Sequence, residues 1–164
     1  NGSVNVIPIK QKQEILEAFL SKCMLTWTKI SREADSVLTD QKMRIPVNHP
    51  LLKELTSLTH EFREIIQNAN LDFDELAKLI NKGWKIKNAL SPKILSQDLE
   101  NQISTLQNSY EVHALKLLGA GAGGFILTLH STPEQVLNIV SKKTSSFIPE
   151  LDYLGCREIG RAHV

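Results

Sequence analysis

The sequence predicts an α+β fold in which several helices pack on a small antiparallel sheet. Apolar residues recur every three or four positions through four segments, the spacing of helices that bury one face. Shorter segments at 23–27, 114–118 and 125–130 have the alternation or the apolar, β-branched composition of strands. A short glycine-rich loop joins the last two strands. Helices and a few closely connected strands are typical of this fold class.

Length and composition are those of one globular domain, which we expect to span residues 1–164. Nineteen basic and eighteen acidic side chains leave a net charge near +1, without the cationic cluster that nucleic acid or an anionic membrane requires. No apolar run approaches the ~20 residues of a membrane span, and no signal peptide is recognisable. We therefore expect a cytoplasmic protein whose two cysteines, Cys23 and Cys156, are buried and reduced.

The N-terminal third predicts two strands and two helices. Residues 4–9 alternate as a strand does, and Asn1-Gly2 has turn chemistry. We therefore expect residues 1–9 to contribute a strand to a hairpin shared with a preceding domain. Cys23 and Trp27 should lie on one face of the second strand. The elements predicted here are a strand at 4–9, a helix at 10–20, a strand at 23–27 and a polar helix at 31–42 capped by Ser31.

The central and C-terminal parts predict mostly helix. Pro50 suits the first turn of a long helix that opens at Asn48 or His49. Pro92 ends the next helix, because the residue before proline avoids the helical conformation. Helices are predicted at 48–68, at 72–90, from Ser96 to about Tyr110, and after a Ser131 or Thr132 cap with Pro133 in its first turn; short strands are predicted within 152–164.

The loop Gly119-Ala120-Gly121-Ala122-Gly123-Gly124 is the most informative stretch. Four glycines in six residues allow positive φ angles, close approach to a ligand and several N–H groups turned towards an anion. The spacing matches the dinucleotide fingerprint, but that motif needs a helix next, and the strand-like Phe125-Ile126-Leu127 follows here. A P-loop needs Lys-Ser/Thr after its last glycine. A ligand-binding loop and a purely structural hairpin both remain open.

The segment from Ala114 to Phe125 resembles the third conserved motif of the GHMP kinases, the superfamily of galactokinase, homoserine kinase and mevalonate kinase. That motif lies between two antiparallel strands of a ferredoxin-like C-terminal domain. The order of elements is similar to that of the D-glycero-D-manno-heptose 7-phosphate kinases. The matching features are Pro8-Ile9, Ser31-Arg32, the helices at 48–68 and 72–90, the loop 119–124 and the helix-strand unit at 132–164.

This resemblance implies an ATP-dependent kinase for a sugar or sugar phosphate, of which the chain is the C-terminal, substrate-side half. In the family the phosphate-binding loop and the catalytic Asp lie in an N-terminal kinase domain, and no Ser-Ser-Ala run occurs here. We therefore predict no catalytic residue in this chain and no activity for it alone. ATP and Mg²⁺ are expected in the intact enzyme, with neither bound to this chain by itself. The alternative is a non-catalytic ligand-binding or interaction module that retains the fold.

Three residues are candidates for substrate binding: Lys87, Arg32 and Ser91. On an ideal helix Lys87 lies about 20° from Ile80, on the packed stripe, where a lysine must either extend to solvent or meet an anion. By resemblance, the segment Trp84-x-x-Lys87-x-x-Leu90-Ser91 lines the substrate cleft.

The resemblance also brings Arg32 to the substrate, although Lys29 stands where the family pattern commonly has glycine. Without that contact, Arg32 would be a solvated residue in the first turn of a helix. The five histidines share no metal-ligand spacing, so we predict no metal site in this chain.

Overall fold

The computed structural model describes residues 6–31 and 34–153. Within these ranges the chain forms six helices and four strands. In chain order they are α1 (Gln13–Ser21), β1 (Cys23–Trp27), α2 (Ala34–Met43), α3 (Ile45–Gln67), α4 (Phe73–Ala89), α5 (Gln97–Ser109), β2 (Ala114–Leu117), β3 (Phe125–Leu129), α6 (Pro133–Val140) and β4 (Ser146–Phe147).

The four strands form one antiparallel sheet in the order β2-β3-β1-β4. Its register pairs Trp27 with Phe125 at one end of the β1–β3 ladder and Cys23 with Leu129 at the other. Because β2 has a neighbour on one side alone, it is an edge strand of this sheet. The architecture confirms the predicted α+β class and the strand Cys23–Trp27 at its predicted bounds.

Helices cover both faces of the sheet. Directly paired residues share a face, so Met24, Leu115 and Ile126 lie on one side, where α5 and α6 bury them. Cys23, Ala114 and Leu129 lie on the other side, against α1 and α4. The second face is covered incompletely, because Trp27 stays 36% exposed beside Phe125. The sheet end that carries these two aromatic residues is also the end from which the glycine loop emerges.

The helix caps follow the sequence closely. Asp72 accepts the Glu75 N–H at the start of α4, Ser96 accepts the Leu99 N–H at the start of α5, and Thr132 forms a capping box with Gln135 at the start of α6. These contacts satisfy N–H groups that the first turn of a helix leaves unpaired. The long helix α3 begins three residues before its predicted start, because Pro46 rather than Pro50 occupies its first turn.

Three other expectations differ from the structure or lie beyond it. Residues 6–12 form neither helix nor strand, so the part of the predicted 4–9 strand that the structure describes is not a strand here. Its pairing with a preceding domain stays a prediction.

The two-residue strand β4 was not predicted, since so short a segment has no periodicity. Most of the predicted 152–164 strands, with Cys156, fall outside the described residues; Cys23 is a buried free thiol whose pKa burial raises to about 12.

Candidate functional site

The glycine loop, residues 119–124, turns through the left-handed half of conformational space. Its φ angles are +73° at Gly119, +118° at Gly121, +60° at Ala122, +153° at Gly123 and +95° at Gly124. L-residues with a Cβ rarely adopt such angles, whereas glycine does so without strain. The glycine content is therefore required by the backbone path.

Two neighbouring segments hold the second half of the loop. The Ala122 N–H donates to the Ile94 carbonyl at 2.8 Å, and the Gly124 N–H donates to the Ile30 carbonyl at 3.2 Å. In return the Gly124 carbonyl accepts from the N–H and the hydroxyl of Thr28 at 3.0 and 2.8 Å. Two of the loop's N–H groups are thus occupied within the protein and do not point at a ligand.

The glycines differ in the space around them. A Cβ on Gly123 would overlap the Ile30 carbonyl oxygen, and a Cβ on Gly121 would lie 3.0 Å from the Ile94 Cα. A Cβ on Gly119 would meet nothing within 4 Å. Close backbone approach therefore constrains Gly121 and Gly123, whereas at Gly119 the φ angle alone favours glycine.

A cleft of about 280 Å³ opens beside the loop. It is lined by the loop backbone and the flanking Leu118 and Phe125, together with Trp27, Ile30 and Ser31. A larger cleft of about 700 Å³ lies between α2 and α3. It is linked to the loop through Gln41, whose Nε2 donates to the Ala120 carbonyl at 3.2 Å. We take the smaller cleft as the candidate site, because the left-handed backbone of the loop lines it.

Lys87 lies at the entrance to the loop. As the periodicity predicts, it is on the packed side of α4, and its ammonium donates to the Leu117 carbonyl at 2.8 Å and the Gly119 carbonyl at 2.6 Å. Burial, helped by the nearby charge of Lys116, lowers its pKa to about 8. The sequence indicated where this side chain faces but gave no sign that main-chain carbonyls receive it.

Ser91 is buried, with 2% of its surface exposed. Its hydroxyl donates to Asp40 Oδ2 at 2.6 Å, which also accepts from Arg44 Nε at 2.8 Å. The Ser91 hydroxyl bond, together with Arg44, holds the pKa of Asp40 below its usual range. The Ser91 hydroxyl also accepts the Lys93 N–H at 3.1 Å and the Ser91 carbonyl accepts the Ile94 N–H at 3.2 Å, so Ser91 forms the turn that precedes the Ile94 carbonyl.

Arg32 lies outside the described residues, but its neighbour Lys29 is informative. Lys29 has φ +59°. The position at which the family pattern commonly has glycine is therefore left-handed in this chain, with a lysine in place. The prediction that Arg32 binds substrate stays a prediction, as do those for Lys87 and Ser91.

Sequence reasoning missed part of the lining of the cleft and the partners of the loop. Ser31 was assigned to a helix cap, and Ile30 and Ile94 contribute backbone carbonyls, for which side-chain identity gives no signal. Asn81 was missed as well, because an exposed polar residue beside the apolar stripe of α4 gives no signal in the sequence. Among the described residues no group of three or more His, Cys, Asp or Glu side chains could hold a metal ion. None of the described helices combines the length and apolarity needed to cross a membrane.

Two curated relatives carry sugar kinase names. The D-glycero-alpha-D-manno-heptose 7-phosphate kinase of Campylobacter jejuni is 26% identical over 157 residues, which cover 93% of this chain and 45% of the relative. The bifunctional fucokinase/GDP-fucose pyrophosphorylase of Arabidopsis thaliana is 26% identical over 136 residues, 80% of this chain and 12% of that protein. The chain thus spans less than half the length of either relative.

Among solved structures the chain is similar to two mevalonate kinases. The L. major enzyme, solved with R-mevalonate, has a TM-score of 0.59 at 23% identity, covering 73% of this chain and 36% of that one. The Staphylococcus aureus enzyme has a TM-score of 0.50 at 20% identity, covering 77% and 40%. At these identities the likeness shows a shared fold.

The family model described as GHMP kinases C terminal matches residues 62–146, a little over half of the chain. The match includes α4, α5, the glycine loop and the strands on either side of it. The chain therefore belongs to the GHMP kinase family, as a C-terminal domain of that family.

Proposed function

We propose that this chain is the acceptor-side domain of an ATP-dependent, cytoplasmic kinase that phosphorylates a sugar or sugar phosphate. The observation that carries the proposal is the glycine loop, whose left-handed backbone lines a small cleft together with Ser31 and Trp27. At about 280 Å³ the cleft is slightly smaller than ordinary ligand pockets, which suits a small polar molecule that a second domain also contacts. The names of both curated relatives favour a sugar acceptor.

The contribution of this domain would be to position the acceptor. Phosphoryl transfer depends mainly on alignment and charge stabilisation, so a domain that shapes the acceptor side raises the rate without supplying a base. Arg32 and Ser91 are the proposed substrate-binding residues, although Ser91 would have to give up its bond to Asp40. Lys87, the third candidate from the sequence, already donates to two main-chain carbonyls. We assign the phosphate-binding loop and the catalytic acid to an N-terminal kinase domain.

ATP and Mg²⁺ belong to the proposal for the intact kinase, and the residues described here fit them poorly. The amides of Ala122 and Gly124 are already bonded to carbonyls, and the described residues offer no cluster of three metal-ligating side chains. We therefore derive no step of the reaction through the nucleotide or the metal from this domain.

The test is an ADP-release assay with ATP, Mg²⁺ and three acceptors: D-glycero-D-manno-heptose 7-phosphate, fucose and mevalonate. We expect the intact protein that carries this chain to turn over a sugar or sugar phosphate, and residues 1–164 alone to turn over none. Turnover of mevalonate alone would overturn the acceptor class. Turnover by residues 1–164 would overturn the proposal that the phosphate-binding loop and the catalytic acid lie in another domain.

A second candidate is a non-catalytic module that binds the same kind of ligand. The internal bonds of the Ala122 and Gly124 amides agree with it, because such a module needs the loop for the shape of the cleft and not for phosphoryl transfer. Calorimetry with the same three compounds separates the candidates. Binding of a sugar by the intact protein without turnover would support the module.

A further inference from the structure

The outer edge of β2 is paired by side chains of α4 instead of by another strand. An edge strand leaves alternate N–H and C=O groups without a ladder partner. Asn81 Nδ2 donates to the His113 carbonyl at 2.8 Å, and Asn81 Oδ1 accepts the Leu115 N–H at 3.0 Å. The Lys87 ammonium then donates to the Leu117 and Gly119 carbonyls. Every second residue along one edge is therefore bonded to one helix.

The chemistry of the two helical side chains matches what the edge presents at each point. Beside Asn81 the edge offers one carbonyl and one N–H, and an amide can accept and donate. Beside Lys87 it offers two carbonyls, because the chain leaves the strand at Gly119 with φ +73°. An ammonium donates three hydrogen bonds and accepts none, so it suits this pair.

The ammonium of Lys87 loses part of its solvation at this position. Its folded pKa of about 8 lies below the ordinary 10.5 because burial disfavours the charged form. At neutral pH the folded protein therefore carries an ammonium that would be better solvated in the unfolded chain. An apolar side chain of similar length would pack in the same place without that penalty.

Contacts that hold the first residues of the loop offset the large conformational entropy that its glycines lose on folding. Glycine loses more conformational freedom on folding than any other residue, and four of six loop residues are glycines. The bonds of Ala122 and Gly124 hold the second half, and Gln41 holds the Ala120 carbonyl. Lys87 is the side chain among the described residues that holds Gly119.

We propose that Lys87 is a positioning residue, which fixes the glycine loop in its working conformation and influences phosphoryl transfer through the loop rather than by gripping the substrate. Its effect on turnover rests on the proposed kinase function. The anchoring of the loop does not, and it can be measured separately.

The experiment compares K87M, K87R and two controls in the intact protein. Lys85 is exposed on the same helix, so K85M removes a charge without touching the loop. N81A removes the other side chain that pairs the β2 edge. Three quantities are measured for each protein: the thermal unfolding midpoint, hydrogen exchange of loop peptides containing Ala122 and Gly124, and kcat and KM for the acceptor.

For K87M we expect little change in the unfolding midpoint, because removal of a partly desolvated charge offsets the loss of two hydrogen bonds. We also expect about tenfold faster loop exchange, and a kcat about tenfold lower with the acceptor KM changed by less than about threefold. K87R should restore part of the protection and of kcat. K85M should change none of these quantities, and N81A should lower the midpoint with little effect on loop exchange.

Other outcomes would overturn the inference. Unchanged loop exchange with a tenfold higher acceptor KM would make Lys87 a substrate contact. A K87M protein that no longer folds would make it a structural residue. If the unsubstituted protein turns over no acceptor, the proposed function fails, while the exchange measurement still decides whether Lys87 anchors the loop.

Discussion

The two ends of β2 are paired by the same helix but are built differently. At the end near His113, the neutral amide of Asn81 continues the hydrogen-bond pattern of a strand. At the other end, Lys87 brings a partly desolvated charge to two carbonyls. In the described part of the chain, every residue with positive φ lies at this second end: Lys29, Gly119, Gly121, Ala122, Gly123 and Gly124.

This difference separates what makes the fold stable from what shapes the site. Regular pairing and neutral hydrogen bonds at the Asn81 end resemble those of any sheet edge. Backbone strain and a charge with a lowered pKa gather at the loop end, and such features cluster where proteins bind or react. Substitutions at the two ends should therefore differ in their effects on the free energy of unfolding and on hydrogen exchange of the loop.

The largest effect is expected from Gly123→Ala. The new Cβ would overlap the Ile30 carbonyl oxygen and the φ of +153° disfavours a side chain, so we expect a loss of about 3–5 kcal/mol in the free energy of unfolding. Gly119→Ala is the matched control. It has a positive φ but open space, and should lose only about 1–2 kcal/mol. Chemical denaturation measures both, and equal losses would mean that the close approach to Ile30 is unimportant.

A smaller effect is expected from Asn81→Ala at the other end of β2. The Leu115 N–H and the His113 carbonyl lose their partner; the bond to His113 is exposed and the bond to Leu115 is part-buried, so we expect a loss of about 1–2 kcal/mol. Chemical denaturation measures this loss, and hydrogen exchange of the loop peptides should be the same in this variant as in the unsubstituted protein. Faster exchange in the 119–124 peptides would show that the two ends of the edge are coupled.

The smallest effect is expected from pH, through His130 at the Asn81 end. Its ring bonds to the Thr128 hydroxyl and the Glu111 carbonyl, and burial, aided by the charge of His113, lowers its pKa below the ordinary 6.5. Below pH 6.5 the unfolded chain therefore binds the proton more readily, and stability should fall as the pH drops towards the folded pKa.

Thermal unfolding between pH 7 and pH 5 tests this expectation. His130→Gln should flatten the decline, whereas His60→Gln, at an exposed position on α3, should leave it unchanged. An identical decline in the His130→Gln protein would assign the acid sensitivity to other groups.

Much of the fold could be predicted because its signals are local. The caps at Asp72, Ser96 and Thr132 and the strand Cys23–Trp27 depend on residues within a few positions of one another. The predicted start of α3 was wrong because both Pro46 and Pro50 are suited to the first turn of a helix, and local rules do not choose between them.

The sequence by itself determined the fold class, the glycine loop and the packed side of α4 on which Lys87 lies, because periodicity and glycine content are local properties of the sequence. Only the tertiary structure decided which residues these features contact. That Gly123 lies against the Ile30 carbonyl, that Ser91 is bound to Asp40 and that Lys87 holds two carbonyls of β2 and the loop are contacts between segments distant in the chain. Two of them involve backbone carbonyls, which every residue carries, so these contacts could not be predicted from residue type.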